Sequence, residues 1–180
     1  AAQFEVNLFG LAHLTQLLIP AMRERGSGRI INVSSMAGRI YAPLGAWYHA
    51  SKHALEGWSD CLRVELRPFG IAVVIVQPGI IRTDFVEQMR DPLLRSSGSG
   101  PYAAVTRATL EAFERFFASP RASSPELVGR TILRAATALI GSAAIAFHQA
   151  LGGQAEAAVG HRGGALGVGD QHRGGAGFED

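Results

Sequence analysis

Two short apolar segments of strand length, separated by a long helical pattern, limit this chain to a few architectures. Residues 29–34 contain two isoleucines and a valine, and residues 71–77 begin with six consecutive apolar residues. Near-continuous apolar runs of this length are typical of strands buried on both faces, as in a parallel sheet. Because the pattern over residues 46–67 is helical, we predict a helical crossover between two parallel strands.

Another helix is predicted over residues 2–25, where apolar side chains recur at helical spacing before a Gly-Ser-Gly stop. The chain thus alternates helix, strand, helix, strand, which indicates the α/β class. In sheets of this class, ligands bind beyond the carboxyl ends of the strands. Those ends are predicted at residues 34–35 and 77–79.

Composition limits the class of protein. The 180 residues are 47% hydrophobic and 18% charged, which excludes a disordered, solvating chain. A formal net charge of +2 does not indicate nucleic-acid binding. The single cysteine, Cys61, excludes an intramolecular disulfide framework and fits a reducing compartment, so we expect a cytoplasmic protein. On its predicted helix, Cys61 is interpreted as a small buried hydrophobic side chain.

The periodicity of apolar residues is less regular in the second half of the chain. Residues 89–101 are polar and rich in serine and glycine, so we predict a mobile loop there. Two helices are predicted after it, over residues 102–117 and 125–137, with Ser123 or Ser124 as the N-cap of the second.

The end of the chain differs from the rest. Residues 141–180 are rich in glycine and alanine and show neither helical nor strand periodicity. We therefore predict one domain over residues 1–140, followed by an irregular, disordered Gly/Ala-rich tail over residues 141–180.

Tyr48 and Lys52 form the most informative motif. They are four residues apart near the start of a predicted helix, so their side chains lie on one face. A free phenol titrates at about pH 10 and is a poor proton carrier at neutral pH. A neighbouring ammonium favours the phenolate and makes proton exchange easier. Lys52 is the only lysine among 17 basic residues, which indicates a specific role.

Three further segments accompany this pair. With the segment that holds the pair, they follow one another in an order and spacing that resemble those of the short-chain dehydrogenase/reductase family: residues 7–10, 28–35, 48–52 and 78–83. The resemblance covers about residues 1–140 and is closest over residues 3–85. It adds to the Tyr48–Lys52 motif an expected set of functional residues.

The resemblance implies a role for each of these residues. Tyr48 is expected to be the general acid/base, and Lys52 to assist it and to bind the ribose of a nicotinamide cofactor. Ser35 is expected to polarise the substrate oxygen, and Asn7 to hold a water that links Lys52 to solvent. The nicotinamide pocket is expected to be lined by Pro78, Gly79, Ile81 and Thr83.

The resemblance also implies a fold and an activity. The expected fold is a Rossmann-like, doubly wound parallel sheet, of which this chain is the carboxyl-terminal, catalytic part, because the family's glycine-rich cofactor turn has no counterpart in the sequence. The expected activity is NAD(P)-dependent interconversion of a hydrophobic secondary alcohol and its ketone or aldehyde. The choice between NAD and NADP stays open. Family members usually form dimers or tetramers, so a homodimer or homotetramer is expected.

Two alternatives accompany this interpretation. The chain could be a truncated, non-catalytic fragment that acts only through helix-mediated association. His49 and His53 flank the Tyr48–Lys52 pair and suggest a metal site, but no cysteine or carboxylate cluster has ligand spacing, so we predict no metal. No nucleic-acid partner and no membrane span are expected.

Overall fold

The computed structural model describes residues 2–138 and two short strands, Ile145–Ala146 and Ala158–Val159. These two strands pair in antiparallel fashion. The rest of the predicted tail over residues 141–180 lies outside the described residues, as does the boundary predicted at residue 140.

A nearly continuous helical segment opens the described chain, as predicted. Helix α1 (Ala2–Phe4) passes through a π-helical turn (Glu5–Phe9) into helix α2 (Gly10–Glu24). In the π turn, the backbone N–H of Gly10 donates to the carbonyl of Glu5, five residues earlier. Single π turns within helices are rare and occur frequently at functional sites, and the apolar periodicity gave no sign of this one.

Strands β1 (Gly28–Val33) and β2 (Ile71–Val76) form a two-stranded parallel sheet, which confirms the predicted pairing. The register pairs the first residues of the two strands and also the last, so both strands end at the same level. Helix α3 (Ala46–Leu66) connects them and packs against β2. The core between helix and sheet is formed by Ile30, Leu62, Leu66, Ile71 and Val73.

Backbone hydrogen bonds continue the pairing past the ends of the two strands. The N–H of Ser34 donates to the carbonyl of Val76 at 2.8 Å, and that of Met36 donates to the carbonyl of Pro78 at 2.9 Å. A short 3-10 helix (Met36–Gly38) begins at this point. The segments that follow the two strands are thus held side by side at the carboxyl edge of the sheet, where ligands bind in folds of this class.

Helix α4 (Phe85–Ser97) occupies most of residues 89–101, so the loop predicted there is wrong. A proline within the segment and its polar composition argue locally against a helix. Helix α5 (Ala103–Phe117) supplies the missing stabilisation. Thr106 Oγ1 donates to the carbonyl of Ser97 at 2.8 Å, which satisfies a backbone acceptor at the end of α4.

Helix α5 and helix α6 (Pro125–Thr137) confirm the two helices predicted in this region, and Ser124 is the N-cap residue of α6. At the other end of α6, the guanidinium of Arg29 on β1 donates to the carbonyls of Ala135 and Ala138. These carbonyls belong to the last turn of a helix, where backbone acceptors lack helical partners and attract cations. The contact attaches α6 to the sheet.

The surface of the described residues corrects one expectation and shows exposed apolar side chains on α2. Cys61 is exposed, so its interpretation as a buried side chain is wrong; the core face of α3 is formed by other residues. Large apolar side chains are also exposed on α2, where Leu14 and Leu17 keep 58% and 65% of their area accessible. Within residues 2–138, no helix combines the length and apolar character needed to cross a membrane.

Gly70, between α3 and β2, has φ of +69°, a left-handed conformation that favours glycine. A Cβ there would lie 2.2 Å from the carbonyl oxygen of Gly26. Gly70→Ala should therefore lower the free energy of unfolding by more than the roughly 1–2 kcal/mol that left-handed backbone alone costs.

Gly129→Ala is the matched control, because Gly129 lies in the interior of α6 with open space around it. This substitution should raise the free energy of unfolding by up to about 1 kcal/mol. Chemical denaturation of both variants measures the two effects, and a Gly70→Ala variant as stable as Gly129→Ala contradicts the turn geometry.

Candidate active site

Ser35 is positioned by the end of β1. It is the N-cap residue of the 3-10 helix Met36–Gly38, and its Oγ accepts the N–H of Ala37 at 3.1 Å. Since the oxygen serves as an acceptor within this turn, the hydroxyl hydrogen remains available to donate to a ligand oxygen. The side chain is half-buried at the carboxyl edge of the sheet.

Tyr48 and Lys52 project from the first two turns of α3 and lie close together, as their spacing predicts. Lys52 Nζ lies 6.0 Å from the centroid of the Tyr48 ring and donates to the carbonyl of Val33 at 3.1 Å. Val33 is the last residue of β1, so this hydrogen bond places the pair at the same edge of the sheet as Ser35. Both side chains are half-buried.

Burial and charge act on Lys52 in opposite directions. Partial burial disfavours the ammonium and lowers the pKa of Lys52 below its ordinary value, while the negative charge of Glu56, one helical turn further along, raises it. Burial has the larger effect. A lysine whose pKa is lowered exchanges its proton at lower pH than a solvated one, which suits a proton carrier.

Asn7 joins this set through the π turn in which it lies. Its Nδ2 donates to Ser51 Oγ at 3.0 Å, and Ser51 Oγ in turn donates to the carbonyl of Tyr48 at 2.8 Å. Ser51 is fully buried and precedes Lys52 directly. The π turn therefore attaches the amino-terminal helix to α3 between the two predicted catalytic side chains.

The predicted cofactor segment follows β2 and is fixed by a pairing that the sequence did not indicate. The N–H of Ser123 donates to the carbonyl of Ile80 at 2.9 Å, and the N–H of Arg82 donates to the carbonyl of Ser123 at 2.8 Å. These bonds form a parallel bridge between Ile81 and Ser123, two residues that lie far apart in the sequence. Of the predicted lining residues, three are half-buried and Thr83 is exposed: Pro78, Gly79, Ile81 and Thr83.

Aromatic rings line one side of Tyr48. The Phe85 ring, at the start of α4, lies 6.4 Å from the Tyr48 ring, measured between centroids. Phe117, at the end of α5, stacks on Phe85 at 6.0 Å with an interplanar angle of 15°. Phe85 is 44% exposed, so this row of rings presents apolar surface beside the tyrosine.

His49, whose position beside the Tyr48–Lys52 pair suggested a metal ligand, holds the loop after the 3-10 helix. Its Nε2 lies 3.1 Å from the backbone nitrogen of Ala42, and its Nδ1 lies 2.7 Å from the carbonyl oxygen of Ile40. Because an amide can only donate, Nε2 accepts and Nδ1 carries the proton. Among residues 2–138, no group of three or more histidine, cysteine, aspartate or glutamate side chains could hold a metal ion.

The structure therefore connects Asn7, Tyr48 and Lys52 through hydrogen bonds and ring contact, and holds Ser35 at the same sheet edge. Thr83 has no hydrogen bond to this set in the described part of the chain. A phenol beside an ammonium can donate or accept a proton, and a second hydroxyl can polarise a carbonyl oxygen. The fold and site define an α/β protein with a phenol and an ammonium side by side at the carboxyl edge of a parallel sheet.

Comparison with known proteins identifies the family. The sequence profile of the short chain dehydrogenase family matches residues 1–93. The chain is 51% identical over 87 residues to the uncharacterized oxidoreductase YbbO of Escherichia coli K12, covering 48% of this chain and 32% of that protein. It is 35% identical over 134 residues to oxidoreductase BOA17 of Botryotinia fuckeliana, covering 74% and 47%. The chain belongs to the short-chain dehydrogenase/reductase family.

A solved structure supports the same fold. The short chain dehydrogenase/reductase from Burkholderia phymatum, solved in complex with NAD, superposes with a TM-score of 0.57 at 24% identity, covering 74% of this chain and 48% of that one. The likeness confirms the Rossmann-like α/β fold class. The chain spans less than half the length of each of these three proteins.

The His49 contacts predict a local effect on backbone protection. In His49→Ala, the N–H of Ala42 loses its acceptor and should exchange with solvent roughly five- to tenfold faster, as expected for a hydrogen bond of about 1 kcal/mol. His53→Ala, one turn along the same helix and exposed, is the matched control and should leave Ala42 unchanged. Amide hydrogen exchange followed by NMR makes the comparison. Equal protection in the two variants contradicts the assigned role of His49.

Proposed function

We propose that the complete protein containing this chain is an NAD(P)-dependent oxidoreductase that interconverts a hydrophobic secondary alcohol and its ketone or aldehyde. The observation that carries the proposal is the Tyr48–Lys52 pair at the carboxyl edge of the sheet, with Lys52 bonded to the end of β1. Membership of the short-chain dehydrogenase/reductase family supports it. The relatives with curated names include oxidoreductases, which agrees with this reaction class.

In the proposed reaction the protein handles the proton. A bound nicotinamide supplies or accepts the hydride. In the reductive direction, the Tyr48 hydroxyl gives its proton to the substrate oxygen while Ser35 donates a hydrogen bond to the same oxygen. Lys52 stabilises the resulting phenolate, and a water held by Asn7 returns a proton from solvent. In the oxidative direction, each proton moves the opposite way.

The residues around Lys52 fit a nicotinamide cofactor. Lys52 has three N–H donors, and its hydrogen bond within residues 2–138 goes to the carbonyl of Val33. The other donors can bind the hydroxyls of a ribose. At the same sheet edge, the predicted lining segment offers apolar surface, a glycine without side chain and an exposed hydroxyl: Pro78, Gly79, Ile81 and Thr83. None of these groups distinguishes NAD from NADP, so the proposal includes both.

The proposed substrate is apolar because of the surface beside Tyr48. The rings of Phe85 and Phe117 stack there, and Phe85 is within 6.4 Å of the catalytic phenol. A charged or sugar-like substrate would have to lose hydration where it meets these apolar rings. A hydrophobic alcohol or ketone instead gains from burial against them.

Helices α2 and α3 carry the proposed surface for self-association, as a homodimer or homotetramer. Leu14 and Leu17 on α2 are more than half exposed, and so are Trp47 and Val64 on α3. Exposed apolar side chains concentrated on two helices favour an interaction surface there. The free, exposed thiol of Cys61 supports a reducing compartment and hence a cytoplasmic location.

The alternative function is association without catalysis, and the same exposed helices favour it. The two functions differ in cofactor binding. An NAD(P)-dependent enzyme requires the complete protein to bind NADH or NADPH, whereas an association module does not.

Tyr48→Phe tests the catalytic proposal. The variant keeps the aromatic ring that contacts Lys52 and Phe85 but has no ionisable proton, so turnover should fall by a factor of 100 or more, roughly the contribution of general acid–base catalysis. Cofactor affinity, measured by titration with NADH and NADPH, should stay within about twofold.

Tyr41→Phe is the matched control, because Tyr41 is 89% exposed, and it should retain full activity. Unchanged turnover in Tyr48→Phe contradicts the assigned role of the phenol. Failure of the wild-type protein to bind either cofactor favours the association function instead.

Leu17→Lys tests the proposed self-association surface. A charge at this position on α2 should shift the protein toward monomer, because burying an unpaired ammonium in an interface is costly. Leu133→Lys on α6 is the matched control, since Leu133 is 62% exposed and Leu17 is 65% exposed. Sedimentation velocity at several concentrations measures the assembly. A Leu17→Lys variant that assembles like Leu133→Lys contradicts the assignment of the surface.

A further inference from the structure

Glu56 is a buried carboxylate on α3, one helical turn after Lys52, with only 3% of its surface accessible. Its Oε2 accepts from Gln77 Nε2 at 2.7 Å and from Arg39 Nη2 at 3.0 Å. A buried carboxylate is unfavourable unless charged and hydrogen-bonding groups compensate it. Here Gln77, directly after β2, and Arg39, in the turn after the 3-10 helix, supply these hydrogen bonds; no residue of α3 does.

The two partners of Glu56 lie next to predicted site segments. Gln77 directly precedes Pro78, and Arg39 follows the 3-10 helix whose N-cap residue is Ser35. One carboxylate thus links the segment after β1, the segment after β2 and the helix that carries Lys52. Gly38 permits this approach, since a Cβ there would lie 2.8 Å from Glu56 Cγ.

The second oxygen of the carboxylate indicates that packing alone does not explain Glu56. Oε1 is buried and has no hydrogen-bond partner among the described residues, and the same holds for Ser34 Oγ. Both atoms lie about 3 Å from the position a Gly38 Cβ would take. An unsatisfied buried acceptor is destabilising, so an uncharged side chain of similar volume would serve the fold as well or better.

Charge connects Glu56 to Lys52. The carboxylate raises the pKa of Lys52 against the lowering effect of burial. Lys52 itself contacts the Tyr48 ring on its own helix and the Val33 carbonyl from β1, while Arg39 faces Glu56. The other charged residues on elements packed against α3 are Glu5, Arg29 and Arg67. Within residues 2–138 they form neither a hydrogen bond nor an ion pair with either group, and Arg29 donates instead to carbonyls at the end of α6.

We propose that Glu56 is a positioning residue of this site: it fixes Gln77 and Arg39 at the two strand ends and places a negative charge one turn from Lys52. Its effect on turnover rests on the proposed oxidoreductase function. Its effect on Lys52 does not, because that depends only on the fold. An experiment can therefore contradict the effect on Lys52 without contradicting the oxidoreductase function, and the reverse.

Lys52 is the only lysine of the chain, so lysine labelled with ¹³C at Cε gives a single NMR signal that reports its titration. In the 180-residue chain, Glu56→Gln removes the charge with little change of shape. The titration midpoint of Lys52 should then move to lower pH than in the wild type, because the charge that raises its pKa is gone. Glu65→Gln, exposed on the same helix, is the matched control and should leave the midpoint unchanged.

Arg39→Gln is the second, independent variant, because it changes the charge around Lys52 from the other side of the ion pair. Gln77 still donates to the Glu56 carboxylate in this variant, and removing the cation beside Glu56 should move the Lys52 midpoint to higher pH. A midpoint that moves in neither variant overturns the proposal, whatever the activity of the protein.

Kinetics of the complete protein then test the consequence for catalysis. Glu56→Gln should lower kcat by roughly ten- to a hundredfold, the cost of a small misplacement of reacting groups, and change KM for the carbonyl substrate little. The pH profile of kcat should move in the same direction as the Lys52 midpoint. Glu56→Asp, which keeps the charge, should restore the pH profile but only part of kcat. An unchanged profile in Glu56→Gln contradicts the link to Lys52, while a wild type without turnover contradicts only the oxidoreductase proposal.

Discussion

The parallel pairing of β1 with β2 is the interaction on which the rest of the structure depends. Because the two strands are in register along their whole length, both end at one level, and the polar segments after them emerge side by side. The backbone hydrogen bond from Met36 to Pro78 continues this pairing into the two segments that follow the strands. A slip of the pairing would bury different side chains and separate the two loops. The site exists because the register is fixed.

Helix α3 serves both the core and the site. Leu62 and Leu66, in its second half, pack on the strands, while its first turns carry Tyr48 and Lys52. Between them, small and polar side chains are buried against the sheet; Ser59 Oγ, for example, accepts from Asn32 Nδ2 at 2.9 Å. These polar contacts fix the rotation and axial position of the helix, because each buried polar atom has few alternative partners. The position of the Tyr48–Lys52 pair follows from that fit.

Local sequence patterns predicted the elements that depend mainly on their own residues. The apolar runs of β1 and β2 and the spacing of Tyr48 and Lys52 involve residues that are close in the sequence, so the sequence alone predicts them. Helix α4 is stabilised by α5, and the exposure of Cys61 depends on which face of α3 meets the sheet. The roles of His49 and Glu56 arise from loops folded back onto α3. Such features depend on tertiary contacts, which periodicity does not encode.

Isotope transfer from a reduced nicotinamide to a carbonyl carbon tests the proposed chemistry directly. The complete protein would be incubated with NADH or NADPH carrying deuterium at the transferable ring position, together with an apolar ketone, and the alcohol examined by mass spectrometry. The proposal predicts one deuterium on the carbon of the former carbonyl, with the hydroxyl proton drawn from solvent through Tyr48. Alcohol formed without deuterium, or no alcohol from apolar ketones and aldehydes by a folded protein with either cofactor, would contradict it.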